Sequence, residues 1–290
     1  MILIADSGST KCDWVLVDAK GNEIETFSSM GFNPYFHNEA IIERELSLIP
    51  AVNNHASAVK KIFFYGAGCS TERLNAIIAR GLKHVFTQAE IAVDHDLLGA
   101  AYACYDGEPC ISCILGTGSN SCFFDGKALR EEVPSLAYIL GDEASGSYFG
   151  KRLIREYYYR KLPLEIKEAF EREFTLSKDE FIRRIYNEPN VNVYLASFMR
   201  FVVKNGQHPH VRNWIREGFR EFIDIHVLCF PEYKTVKTHF VGSVSFYFKD
   251  ILQEVCDEME VQLGRVIQKP IDKLVEYHLR FKLPQLENQA

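Results

Sequence analysis

Two short loops carry the residue types that chemistry on an anion needs. Asp6-Ser7-Gly8-Ser9-Thr10 follows the apolar run Ile2–Ala5, and Gly116-Thr117-Gly118-Ser119-Asn120 follows Cys110–Leu115. A glycine–hydroxyl loop between two strands of a hairpin can turn several backbone N–H groups and hydroxyls toward phosphate oxygens. Gly8 and Gly118 present no side chain to obstruct that approach. Asp6, at the end of the first apolar run, is placed to bind Mg²⁺ through water, because Mg²⁺ gives up its hydration shell reluctantly. No G-x-x-x-x-G-K-[ST] loop occurs, and no G-x-G-x-x-G follows a strand, so neither a Walker A nor a dinucleotide-binding fold is expected. The competing reading is a pair of ordinary hairpin turns.

The elements around these loops repeat. Ile4-Ala5-Asp6-Ser7-Gly8-Ser9-Thr10-Lys11-Cys12 resembles Ile114-Leu115-Gly116-Thr117-Gly118-Ser119-Asn120-Ser121-Cys122, and the matching glycines, 8 and 118, lie 110 residues apart. Each copy enters on an apolar strand, leaves on a second one and then turns, at Asp18–Gly21 and at Asp125-Gly126-Lys127. Such a duplication predicts two α/β domains facing each other across a nucleotide cleft. In the first copy, strands are expected at Ile2–Ala5, Trp14–Val17, Glu23–Phe27, Ile62–Tyr65 and Glu90–Val93. Helices are expected after the caps Asn38 and Thr71 and over Leu97–Tyr105. From Gly141 to about Phe230 the periodicity is helical, with helices expected at Asp142–Lys161, Pro163–Phe174, Lys178–Tyr186, Tyr194–Lys204 and His210–Cys229. Strands return at Thr238–Val241 and Met259–Leu263, with a helix from Phe246 to Asp257 between them and a last one from Pro270. The expected organisation is α/β, with domains at 1–107 and 108–290 and a helical insertion in the second at about 142–230.

Composition narrows the partners. Among 290 residues there are 33 Lys and Arg against 39 Asp and Glu, a net charge of −6 without a basic block, so neither nucleic acid nor an anionic membrane is an expected partner. The longest apolar stretches fall far short of the roughly 20 residues of a membrane span. Only Met1–Ala5 precede Asp6, so no secretory signal is expected and the cytoplasm is the expected location. The eight cysteines are too sparse for a disulfide scaffold. Cys110 and Cys113, three apart on a strand, point to opposite faces and read as buried free thiols. Tyr157–Lys161 reads as the end of an amphipathic helix, and His208 and His210 as surface residues.

Four segments stand in an order that resembles a known family: Ile4–Thr10, Leu115–Asn120, Leu140-Gly141-Asp142-Glu143-Ala144-Ser145-Gly146, and Val241-Gly242-Ser243-Val244. Together they resemble the N-acetylglucosamine kinase group of the BadF/BadG/BcrA/BcrD-type ATPases, in the superfamily of sugar kinases, actin and heat-shock chaperone ATPases. The resemblance implies two ribonuclease-H-like domains that use ATP and Mg²⁺. It implies that Ser9 and Thr10 belong to the first phosphate loop and Thr117 to the second. Gly242 and Ser243 would form the adenosine loop, with Ala196 approaching the nucleotide from the insertion. Asn33, in Gly31-Phe32-Asn33-Pro34, matches the asparagine that binds the sugar, and Ser119 and Asn120 would touch sugar or phosphate.

The same resemblance makes Asp96 the catalytic base, since the family carries an aspartate before a helix with a glycine three residues later, here Gly99. A carboxylate so placed orients a sugar hydroxyl and accepts its proton during in-line transfer. The alternatives are that Asp96 only caps its helix, or that Asp94 is the base. Asp142 is either a helix cap or a ligand of sugar hydroxyls, and Gly146 and Gly150 would let its helix approach another backbone.

Two departures stand out. The Gly-Trp-Gly that the family carries before Gly-Asp-Glu reads Ser135-Leu136-Ala137, and its glycine-rich C-terminal segment reads Gln268–Lys273. The leading expectation is ATP-dependent phosphorylation of a hexosamine, N-acetylglucosamine first, by a chain free to act as a homodimer. A non-catalytic sugar or nucleotide sensor is one alternative. The other is an activating ATPase of a dehydratase or reductase, which would need cysteines shared between subunits to hold an iron–sulfur cluster; Cys104, Cys110 and Cys113 lie near the second loop without the activators' Cys-containing approach to it.

Overall fold

Residues 1–284 are described by a computed structural model, in which ten strands form two five-stranded sheets. The first sheet has the order β3-β2-β1-β4-β5, from β1 (Ile2–Ser7), β2 (Lys11–Val17), β3 (Glu23–Met30), β4 (Lys61–Gly66) and β5 (Glu90–His95). β1 runs antiparallel to β2 and parallel to β4, which in turn runs parallel to β5. β1 and β4 are apolar and buried almost throughout, as strands covered on both faces must be. β3, at the edge, alternates exposed with half-buried residues. Trp14, Phe32, Ile42, Phe64 and Ile78 lie in the core of this sheet.

Its helices begin where the sequence places their caps. Asn38 accepts from the Ile41 amide at the start of α1 (Glu39–Ser47), and α2 (Pro50–His55) follows. Thr71 accepts from the Leu74 amide at the start of α3 (Glu72–Val85), and α4 spans Asp96–Cys104.

The second sheet has the order β10-β9-β6-β7-β8, from β6 (Cys110–Leu115), β7 (Ser119–Phe124), β8 (Leu129–Arg130), β9 (Lys237–Val241) and β10 (Leu263–Ile267). Read from β8, this is the order of the first sheet with each strand five places later in the chain. The duplication read from two loops therefore extends to the strand order.

Between β8 and β9 lie α5 (Ala137–Leu140), α6 (Gly146–Tyr158), α7 (Leu164–Glu173), α8 (Lys178–Asn187), α9 (Val191–Ser197), α10 (Met199–Lys204) and α11 (Pro209–His226). After β9 come α12 (Ser243–Tyr247) and α13 (Lys249–Glu258), and after β10 comes α14 (Ile271–Tyr277) with a π-helical turn at His278–Lys282.

Several boundaries differ from expectation, each for a local reason. The helix expected from Asp142 starts at Gly146, because Asp142 and Ala144 adopt φ of 58° and 56° and Ser145 supplies the cap. The helix expected over Tyr194–Lys204 breaks at Phe198, and the one over Phe246–Asp257 is divided at Phe248. The strand expected at Met259–Leu263 forms four residues later. Glu260 turns left-handed there (φ 58°) and the Val261 amide returns to the Cys256 carbonyl, which closes α13 first.

The chain forms two compact units. Among the described residues, one comprises 1–112, 124–129 and 269–284; the other comprises 113–123 and 130–268. In the first, α14 packs on α4 and β1, and the π-turn continues from it. His278 is buried there, its Nε2 2.9 Å from the Tyr65 hydroxyl and its ring 4.3 Å from that of Phe63. Burial pushes its imidazolium down from 6.5 to about 3.

Between these values only the unfolded chain takes up the proton, so stability falls as pH drops through 6.5. From pH 7 to pH 5 this single group removes about 2 kcal/mol. Urea midpoints at the two pH values should show that extra loss in the wild type and not in His278→Leu. Equal pH dependence in both would mean that His278 does not fold as a neutral imidazole.

Candidate active site

In an open α/β sheet the parallel strands end together, and loops at their carboxyl ends meet ligands. β1, β4 and β5 are such strands, in register from Ile2, Lys61 and Glu90 to Ser7, Gly66 and His95. Asp6 therefore sits in a row with Tyr65 and Asp94, and Asp96 follows directly after the row of Ser7, Gly66 and His95.

Asp6 is half-buried. Desolvation first, then the charges of Asp96 and Asp13, push its carboxyl up to about 7. Asp13 faces it across the β1–β2 pair but is engaged by Lys11 (2.6 Å) and by the Ser28 hydroxyl (2.8 Å). Asp6 and Asp96 thus form a carboxylate pair at the end of β1. Among the described residues no group of three or more His, Cys, Asp or Glu could enclose a metal. A pair of this kind suits a hard cation that keeps most of its water, so the residues fit Mg²⁺ held chiefly through water.

Asp96 opens α4, but the cap is His95, whose Nδ1 accepts from the Leu97 amide (3.2 Å). The capping alternative for Asp96 thus falls to its neighbour. Gly99 explains the spacing from Asp96, since a Cβ there would lie 2.8 Å from that of Tyr65, so only glycine lets α4 lie this close to β4. Asp94 is exposed and accepts from the His95 amide (2.9 Å).

The first loop closes through the Gly8 amide on the Lys11 carbonyl (3.0 Å); Ser9 is half-buried and Thr10 exposed. The segment carrying Asn33 is packed against this loop. A methyl group on Gly31 would overlap the Gly8 carbonyl, and the Phe32 amide donates to the buried Ser7 hydroxyl (2.9 Å). Asn33 itself is buried. Its Oδ1 accepts from the Tyr35 amide (3.0 Å), and its side chain lies against Gly68, whose loop is tied to β1 by the Ala67 amide on the Ser7 carbonyl (2.8 Å). Asp6, the first loop, Asn33 and Asp96 are thereby brought together in one unit. Gly31 and Ser7, which make that assembly, were not singled out in the sequence; a glycine two residues before Asn33 was the available signal.

Gly8, unlike Gly31, Gly99, Gly118 and Gly242, is not held to glycine by close packing. A Cβ there would meet nothing nearer than the Lys11 carbonyl at 3.7 Å, so the protein has room for one. Gly8→Ala is expected to fold normally and to weaken MgATP binding about tenfold, the equivalent of one charge-assisted hydrogen bond. Calorimetry checks this, and unchanged affinity would remove the loop from the nucleotide site.

In the other unit, the loop after β6 closes through the Gly116 amide on the Gly118 carbonyl (3.0 Å). The first amides of α6, from Gly146 and Ser147, donate to the Gly116 and Thr117 carbonyls (2.8 and 3.1 Å). Gly242, at φ +123°, lies against the Leu115 carbonyl in a conformation that favours glycine, and Ser243 after it is exposed. Ala196 of α9 lies beside Gly146, and α6 meets the α9 backbone at Gly150. Gly242 and Ala196 therefore border the loop that contains Thr117.

Asp142 is buried in its left-handed turn, and Oδ1 accepts from the Ser119 amide (3.2 Å). Burial pushes its carboxyl up, opposed by that amide and by the charge of Lys151. A Cβ at Gly118 would lie 2.9 Å from both Asp142 carboxylate oxygens, so this glycine is required by Asp142 as well as by any ligand. Ser119 is buried, and its hydroxyl has no partner among the described residues. Asn120 lies on the opposite face of β7, where its side chain binds Glu131 (3.2 Å) and the Ser121 amide (2.8 Å). The structure places Ser119 with Asp142 and Asn120 apart from them.

Seven of the eight cysteines are buried, Cys229 is half-buried, and none is joined in a disulfide. No helix among the described residues is long and apolar enough to cross a membrane.

No protein-family model matches the chain, and neither does any curated protein. Solved structures do. A putative N-acetylglucosamine kinase from Porphyromonas gingivalis is 35% identical over 97% of this chain and 99% of its own, with a TM-score of 0.90. A putative N-acetylglucosamine kinase from Chromobacterium violaceum shares the fold at 16% identity, over 96% of this chain and 98% of its own, with a TM-score of 0.74. So does a ROK-family glucokinase from Streptomyces griseus, solved with glucose and AMPPNP, at 15% identity over 95% and 97%, with a TM-score of 0.57. The two five-stranded sheets are those of the actin-like ATPase fold, and the chain belongs to the same family as the Porphyromonas gingivalis protein, a family of sugar kinases.

Proposed function

We propose that this chain transfers the γ-phosphoryl group of ATP to a hexosamine, with N-acetylglucosamine the acceptor of first choice, as a cytoplasmic member of the BadF/BadG/BcrA/BcrD-type ATPases. The observation that carries the reading is the convergence of Asp6, the Gly8 loop, Asn33 and Asp96 at the ends of β1, β4 and β5. Kinase chemistry needs those parts together: a phosphate-binding loop, a carboxylate for a cation, a hydroxyl-binding amide and a base.

In this reading Ser9, Thr10, Thr117 and Gly118 hold phosphates, while Gly242, Ser243 and Ala196 border the adenosine. Asp6 would hold Mg²⁺ through water, and the cation would neutralise charge on the β- and γ-phosphates. Asn33 and Asp142 hold sugar hydroxyls, joined by Ser119, whose buried hydroxyl has no partner among the described residues. Asn120 would contribute through its backbone. Asp96 orients the acceptor hydroxyl and takes its proton as the new O–P bond forms. The duplicated halves divide at residues 107 and 108, with the insertion at about 142–230 in the second.

An amide and a carboxylate suit neutral hydroxyls better than a phosphorylated or carboxylated acceptor. Because Ser135-Leu136-Ala137 provides no aromatic ring, selectivity for N-acetylglucosamine over glucosamine should be modest. A coupled ADP-release screen against amino sugars, N-acetyl amino sugars and cell-wall sugars tests the proposal. Asn33→Ala should raise KM for the sugar about 5- to 150-fold, the range of one lost buried hydrogen bond, and leave KM for ATP nearly unchanged. If no hexosamine stimulates ATP turnover and saturation-transfer NMR detects none bound, the acceptor half of the proposal fails.

A further inference from the structure

Asp142 and Ala144 are non-glycine residues in left-handed backbone, a state that persists only where the surroundings over-determine it. The residue between them, Glu143, turns inward to His226, the last residue of α11, with Oε2 3.1 Å from Nε2. Their side chains are only 14% and 5% exposed, so this contact is formed away from water. His226 is fixed in turn. Its ring stacks on Phe222 at 4.9 Å, and its carbonyl accepts from the Ser121 hydroxyl at 2.6 Å.

Ser121 lies on β7 two residues beyond Ser119, on the same face, and the Ser119 amide is the donor that holds Asp142. The contacts therefore close a ring from Asp142 through Ser119, Ser121, His226 and Glu143 back to Asp142. His226 Nδ1 is buried with no partner among the described residues, so the proton that can be satisfied is the one on Nε2, donated to Glu143.

We infer that Glu143 and His226 are a positioning pair for the acceptor sugar: they lock the left-handed turn so that the Asp142 carboxylate faces the acceptor in a single orientation. The inference rests on the proposal that Asp142 holds sugar hydroxyls. Neither residue touches the sugar. Each acts through the turn, which Glu143 shares with Asp142 by covalent continuity and which His226 anchors to β7. Gln at position 143 can still accept from Nε2–H, whereas Ala cannot.

Two readouts test the pair on the intact protein. Glu143→Ala and His226→Phe, the latter keeping the ring stacked on Phe222, are expected to raise KM for the hexosamine at least tenfold while KM for ATP stays within twofold. Glu143→Gln should restore the sugar KM to within about threefold of wild type. The second readout needs no substrate: amide hydrogen exchange at Ser119 should accelerate at least tenfold in Glu143→Ala, relative to core amides of β6. A sugar KM within twofold of wild type in Glu143→Ala, or unchanged exchange at Ser119, overturns the inference. So does a fall in melting temperature with no split between the two KM values, because that marks a purely structural contact. If the wild type phosphorylates no hexosamine but Ser119 exchange responds as stated, the positioning of Asp142 stands and the sugar assignment is what fails.

Discussion

Asp96→Asn is expected to lower kcat by about 10²- to 10⁴-fold, the range spanned by loss of a positioned general base. Binding and folding should survive the change. The helix cap is His95 rather than Asp96, and the close contact of α4 with β4 is made by Gly99, so Asn at the first helical position disturbs neither. An amide retains most of the carboxylate's shape and can still meet the acceptor hydroxyl, but it cannot accept its proton. Single-turnover kinetics should therefore show the loss in the chemical step, with the sugar still detected by saturation-transfer NMR. Asp94→Asn is the control. Asp94 is exposed and occupied with its neighbour's amide, and kcat should stay within about threefold. The opposite outcome, with Asp94→Asn inactive and Asp96→Asn active, would move the base two residues upstream.

The second large effect separates activity from stability. Asp6→Asn should reduce turnover by about 10²-fold or more, since the carboxylate proposed to hold the cation is gone. The same change should stabilise the cation-free protein above pH 7. The Asp6 carboxyl moves from 3.8 to about 7 on folding, so between those values the folded chain holds a proton that the unfolded chain releases. Stability therefore falls as pH rises through that window, and above it the penalty is complete. Asn carries no such penalty. Discounted for partial exposure, the gain is on the order of 2 kcal/mol at pH 8 and vanishes near pH 4. Denaturant titrations in chelator at the two pH values measure it. A variant less stable than wild type at pH 8 would mean that Asp6 is well accommodated as an anion without a cation.

The parts of this molecule legible in the sequence are those set by short-range chemistry. Asn38 and Thr71 announce α1 and α3 because a capping side chain and its helix are only three residues apart. The paired glycine–hydroxyl loops could be aligned because their strands precede them directly. Gly99 was tied to Asp96 by family resemblance before Tyr65 supplied its physical reason.

What could not be read depends on distant partners. Nothing local marks Asp142 and Ala144 as left-handed; the turn is held by Ser119 and by His226, 83 residues from Glu143. The breaks at Phe198 and Phe248 fall inside continuous helical periodicity, where tertiary packing overrides local preference. Ser119 and Asn120 were expected together, and the alternation of a strand sends them to opposite faces.

The unit that carries Asp6, Asn33 and Asp96 is assembled from both ends of the chain, with α14 packed on α4 and β1 and His278 on β4 and α4. Ribosomal synthesis delivers those ends far apart in time. About 160 residues must be made between Ser112 and α14, which at roughly 5–20 residues per second is some 8–30 s. Through that interval Tyr65, Tyr102 and Phe63 lack the ring that will cover them, and the nascent first unit presents an open aromatic face. Folding of the unit that carries Asp6 and Asp96 is thereby coupled to arrival of α14. A nascent chain stalled before residue 269 should remain a client of chaperones that bind exposed aromatic surface, and should be released once His278 has left the exit tunnel.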